Sequence, residues 1–205
     1  MNLIRSISVA GLVLFVAGCG VRVTQPLSDP STSEADESLY GHWLETVKQD
    51  GKVGEFHVFI GKHWTQGNPK AIMELGSIGW CPDDKQVKSY PTAYFTVTRI
   101  GRDTYMNLIG GPSSPDFSLS DEGSYAKWIA NEKKTCEVFR YVCDGKTFQA
   151  WTVADVDAKL KSLREAGDLK MVGGVVTSDS LVGYLGKNGG EKLFDKKGFD
   201  FRKIP

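Results

Sequence analysis

The chain is expected to fold as an α+β domain: an antiparallel, curved or barrel-like sheet with two or three short helices, mainly late in the chain. Three observations carry this expectation. Short apolar runs alternate with period two and are punctuated by glycine, which occurs 23 times in 205 residues. Phe, Trp and Tyr together reach 11%, and aromatic side chains favour strands. Helical spacing of three and four first becomes clear only after Asp155.

The elements follow in order. LYGHWLETVKQDG (39–51) reads as a first strand that ends in an Asp50-Gly51 hairpin turn. EFHVFIGKHW (55–64) alternates Phe56, Val58 and Ile60 against the residues between them. KAIMELGSIGW (70–80) is apolar and fits strand or helix. TAYFTVTRIGRDTYMNLIGG (92–111) reads as two strands about Gly101, and GSYAKWIANEKK (123–134) as a short helix. In TCEVFRYVCDGKTFQAWTV (135–153), a turn at Asp144-Gly145 sets Tyr141 opposite Phe148 and Phe139 opposite Ala150. Val156, Leu160 and Leu163 then fall on one helix face, with Asp155 as N-cap and Gly167 as stop. SDSLVGYLGKNGG (178–190) reads as a second helix, and FDFRKI (199–204) as a closing strand.

The N-terminus reads as a targeting segment. Arg5 precedes an apolar run, Ile7 to Val16, and small residues follow. That run is shorter than the ~20 residues that span a bilayer. Val16-Ala17-Gly18-Cys19 resembles the bacterial lipobox. The resemblance implies cleavage before Cys19, leaving 1–18 as signal peptide, and a diacylglycerol on the Cys19 thiol, often with acylation of its new amine. Two or three acyl chains anchor stably where one does not. Gly20 in place of Asp implies the outer membrane in a two-membrane host. Residues 19–38, rich in Ser, Thr, Pro, Asp and Glu, read as the lipidated cysteine and a flexible tether. Residues 39–205 read as one globular domain.

Gly41-His42-Trp43 resembles the Gly-x-Trp motif of the lipocalin and calycin barrels. There the tryptophan closes the barrel bottom and a basic residue of the last strand lies over it. The resemblance implies Trp43 and Arg202 as that pair. The chain is also similar to a group of uncharacterised bacterial lipoproteins, which brings no activity with it.

The remaining chemistry is sparse. With 25 basic and 25 acidic residues there is no net field to draw nucleic acid. Cys136 and Cys143, on one strand, stand about 23 Å apart, beyond the ~7 Å a disulfide tolerates. Cys81 pairs with either, and Cys136 is favoured over Cys143. No Cys-x-x-Cys or matching His pair supports zinc, and no cofactor motif is present. His57 and His63 lie about 20 Å apart along an extended strand and cannot chelate one ion. No Gly-x-Ser-x-Gly is found, GKNGG lacks phosphate-loop spacing, and Asp83-Asp84 reads as a solvated turn in preference to a cation site. The aromatics Tyr94, Phe95, Tyr105, Phe139, Tyr141, Phe148 and Trp151 read as core, or as the lining of a cavity. The expectation is a membrane-anchored, non-enzymatic envelope protein with a binding or structural role and no catalytic residue, metal or cofactor. Its expected partners are the membrane, through the anchor, and a small apolar ligand or another envelope protein. The alternatives are a lipocalin-like carrier of a small apolar ligand and an envelope hydrolase.

Overall fold

The computed structural model describes residues 20–49, 52–65, 67–81, 85–109, 119, 121–131 and 135–205. The strands are β1 (Val21–Val23), β2 (Gly41–Gln49), β3 (Lys52–Lys62), β4 (Met73–Cys81), β5 (Gln86–Ile100), β6 (Asp103–Ile109), β7 (Cys136–Cys143), β8 (Thr147–Thr152), β9 (Met171–Val172), β10 (Val175–Val176) and β11 (Lys196–Ile204). A 3₁₀ turn spans Glu37–Leu39. The helices are α1 (Ser124–Ile129), α2 (Val156–Glu165) and α3 (Ser178–Asn188).

Eight strands close into an antiparallel barrel in the order β2-β3-β4-β5-β6-β7-β8-β11, because β6 pairs with β7 and β11 pairs with both β8 and β2. Closure leaves these strands without free edges. Following the register from Trp43 on β2 round to Lys203, its partner on β11, gives a stagger of about 12 residues. The strands therefore tilt strongly, and alternate residues of every strand face inward. Trp43, Val58, Phe95, Phe139, Phe148 and Phe201 are among the inward side chains, each no more than 2% exposed. All eight strands contribute to this cluster.

A second core lies outside the wall. Tyr105, Ile109 and Val138 face out from β6 and β7, and Leu181 and Leu185 of α3 pack over them with Phe194. Each helix buries only one side. Leu160 of α2 is buried, and Asp155 accepts a hydrogen bond from the Ala158 N–H as N-cap. Gly167, at φ 78°, ends that helix as expected. Beyond α3 the chain passes so close to the wall that a Cβ on Gly190 would sit 2.5 Å from Tyr105 Oη.

The barrel-like α+β expectation holds, and the ambiguous run at 70–80 is strand β4. Two local readings change. The β7–β8 turn is Gly145-Lys146, since Asp144 N–H bonds to the Thr147 carbonyl and Cys143 stands opposite Phe148. Asp144 Oδ1 accepts from both Lys146 N–H and Thr147 N–H, which moves the turn one residue on. The pairing slips by two, so Phe139, Tyr141, Phe148 and Ala150 keep their shared inward face.

Residues 20–38 are not a free tether. β1 pairs with β7 beside the point where β8 leaves it, and Val21 and Val23 are fully buried. The Leu27 N–H donates to Oδ1 of the buried Asn107, and Ser28 bonds Thr98 across 2.7 Å. Three apolar side chains and these hydrogen bonds outweigh the polar composition. Residues 1–19 lie outside the described residues, as do Asp50-Gly51 and Asp83-Asp84.

Candidate functional site

One end of the barrel is closed by the segment that enters β2. Asp36 caps the 3₁₀ turn, and the Trp43 indole N–H donates to the Leu39 carbonyl across 2.7 Å. The cation above Trp43 is Lys203, whose Nζ is 5.3 Å from the ring centroid. Arg202 is not brought to Trp43. It pairs with Leu44 and lies out of phase with the inward Phe201, so its side chain is exposed. The expected basic residue is thus one position further along. Gly41 makes room for it: its φ is 135°, and a Cβ there would stand 2.7 Å from Lys203 Cε.

Tyr141 extends from the interior to donate to Asp36 Oδ2 across 2.7 Å. Burial pushes the Asp36 carboxyl up, but hydrogen bonds from Ser38 and Tyr141 outweigh it and hold the group below its ordinary value. Burial and the Asp36 carboxylate push the Tyr141 phenol up. The Cys143 thiol donates to the Ser38 carbonyl across 3.4 Å.

Beside this closed end runs a groove of about 980 Å³. Its walls are the 30–40 segment, the β3–β4 loop and α1. Ala35, Tyr40, Ala71, Tyr125 and Ile129 supply its apolar lining, while Glu34, Glu37, Lys62 and Lys70 supply charge. Its shape is fixed by buried polar contacts. His63 bridges Glu74 Oε2 at 3.2 Å and the Leu119 carbonyl at 3.0 Å. Asn68 donates to that same carbonyl and accepts from the Tyr125 N–H, both at 3.0 Å. His63 and Glu74 form an acid–base pair next to a cleft. A hydrolase would need His63 Nε2 for its nucleophile, but that nitrogen faces Leu119, so the pair as built clamps the loop.

The opposite end carries Glu137. It shares the inward face of Phe139 and pairs with Leu108 and Arg22. Its Oε2 is buried without a hydrogen-bond partner, and Oε1 is 3.9 Å from Arg22 Nε. Burial pushes this carboxyl up to about 7, against the pull of Arg22. Alternation from Phe139 and Tyr141 already marks Glu137 as inward; what the sequence does not show is that its Oε2 is buried without a partner.

The expected aromatics divide between the two cores. Phe95, Phe139, Tyr141 and Phe148 lie in the barrel core, whereas Tyr94 and Tyr105 belong to the outer core and Trp151 packs against it under Arg140. Cys136 is buried at the start of β7, and the Cys81 side chain lies outside the described residues, as does Cys19. Among the described residues, no group of three or more His, Cys, Asp or Glu is placed to hold a metal ion. No described helix is long and apolar enough to cross a membrane. Comparison with known proteins finds no match to a family model, a curated protein or a solved structure.

Proposed function

We propose that this chain is a lipid-anchored protein of the cell envelope, held through Cys19 in the outer membrane where the host has one, with a non-enzymatic binding role. Its ligand is a segment of another envelope protein, taken in the groove beside the closed end. One observation carries the reading: this groove has an apolar lining with both charge signs around it, while the inward aromatic side chains of the barrel pack on one another. An amphipathic peptide suits such a lining, since its apolar side chains leave water and its charged flanks find partners of either sign. A lipocalin-like carrier of a small apolar ligand would want the room that Phe95, Phe139 and Phe148 occupy.

Two experiments test this. Palmitate labelling of whole cells should be abolished by Cys19→Ala, and retained label removes the anchor. A photo-crosslinker at Ala126, exposed on the groove wall, should capture one envelope protein. Charge reversal at Lys62 and Lys70 should abolish that capture. Crosslinks to lipid alone favour the carrier, and protein crosslinks that survive the reversal remove the groove as the site.

A further inference from the structure

We infer that the outer face of the β2–β3 hairpin holds a labile binding site for a divalent transition-metal ion, formed by His42 and His57. The two residues are diagonal neighbours: His42 stands opposite Phe59, and His57 opposite Leu44. His42 Nε2 and His57 Nδ1 approach to 2.9 Å. The rings are held. His42 stacks on Phe59 with centroids 4.4 Å apart and planes at 17°. His57 turns its other nitrogen toward Glu55 Oε2, 3.7 Å away.

This arrangement has the parts of a metal site. A histidine ligand characteristically offers one ring nitrogen to the ion and its other N–H to a carboxylate, which fixes the tautomer. Glu55, at 3.7 Å beyond hydrogen-bond reach, favours the proton on Nε2 through its charge, leaving the Nδ1 lone pair of His57 turned toward His42. Without metal, His42 Nε2–H donates to that lone pair. On binding, His42 shifts its proton to its own Nδ1, and both facing nitrogens become ligands with no net proton release.

The separation selects the ion. Metal–nitrogen bonds of about 2.0–2.1 Å at a cis angle of about 90° hold two nitrogens about 2.9 Å apart, the separation these already have, provided each ring pivots to turn its lone pair from the other nitrogen to the ion. That angle belongs to square-planar or octahedral coordination, suited to Cu2+ or Ni2+. A tetrahedral Zn2+ site would hold its nitrogens about 3.3 Å apart. Among divalent ions of this series Cu2+ binds such donors tightest. With two protein ligands, water completes the shell, and the half-exposed rings admit it.

The test titrates the full, untagged chain with Cu2+ supplied as its glycine complex, followed by calorimetry and electron paramagnetic resonance. One Cu2+ should bind per chain, with hyperfine splitting from two imidazole nitrogens, and Ni2+ should compete better than Zn2+. His42→Gln and His57→Gln should each weaken binding at least tenfold, and Glu55→Gln about tenfold. Melting curves without metal establish that each variant is folded. The nitrogen count on the unaltered chain keeps the test decisive if one is not. Absence of one-to-one binding, or a copper spectrum unchanged by His42→Gln, overturns the inference.

Discussion

Replacing Glu137 by Gln should stabilise the protein at alkaline pH and leave it nearly unchanged in acid. The buried carboxyl is pushed up to about 7 from an ordinary 4.5. Between those values the folded chain keeps a proton that the unfolded chain has released. Folding stability therefore falls as pH rises through that window and is level on either side of it. At 1.36 kcal/mol per pH unit, the full loss is about 3 kcal/mol. Arg22 recovers little of it, because its side chain is 55% exposed and 3.9 Å away. Gln cannot ionise and occupies nearly the same volume. Urea unfolding of both proteins from pH 4 to pH 9 measures the difference. The gap between them should widen by about 3 kcal/mol across the window, a midpoint shift of about 1.5 M for an m-value near 2 kcal/mol/M. Parallel profiles would refute the reasoning, since they would mean that Glu137 ionises as freely folded as unfolded.

Three more outcomes follow from close contacts. Gly20→Ala should cost about 1–3 kcal/mol in chemical denaturation, because its Cβ would meet Phe139 Cζ at 2.9 Å and the Val138 carbonyl at 3.1 Å. Gly41→Ala should lower the melting temperature more than Lys203→Ala. It strains a backbone at φ 135° and also pushes Lys203 off Trp43; equal effects would mean that only the cation matters. Asp103→Ala should cost about 1–3 kcal/mol in urea unfolding. It takes from the Arg140 guanidinium, 11% exposed, the nearer of two carboxylates, leaving Glu191 at 3.2 Å, and it takes the acceptor from the Gly190 N–H.

The sheet was legible because its signal is local. Alternation in β3 and in the strands about Gly101 survives any detail of the fold, and Asp155 and Gly167 mark α2 by their own side-chain and backbone preferences. What depends on register was less legible. The β7–β8 turn moved by one residue because the Asp144 side chain bonds two N–H groups beyond it. The His42–His57 contact was in principle readable from the expected Asp50-Gly51 turn, since folding the sequence about that turn sets His42 opposite Phe59. The contact runs across the hairpin, between diagonal positions, and spacing along a single strand does not show it. The groove was not readable, because it joins residues 30–40, 62–71 and 125–129, and the contacts that join them are single side chains such as Asn68. Lys203 was missed for Arg202 because the resemblance points to a strand while a β-strand's alternation decides the residue.

The early order of the chain bears on the proposed anchor. If Cys19 carries the lipid, the next residue is already in the fold, since Gly20 is buried against Phe139 and Val21 pairs with Val138. The expected spacer of residues 20–38 is consumed by β1 and by the crossing of the closed end. The barrel then lies against the membrane surface rather than at the end of a leash. Its orientation is set by where β1 joins β7. With that anchor Gly20 would answer to two demands, as the residue after a lipid-bearing cysteine and as a position with no room for a side chain. Exchanging it for Asp to redirect sorting would also drive a carboxylate toward a fully buried ring, so mislocalisation of that variant reports on sorting only if its stability is measured alongside.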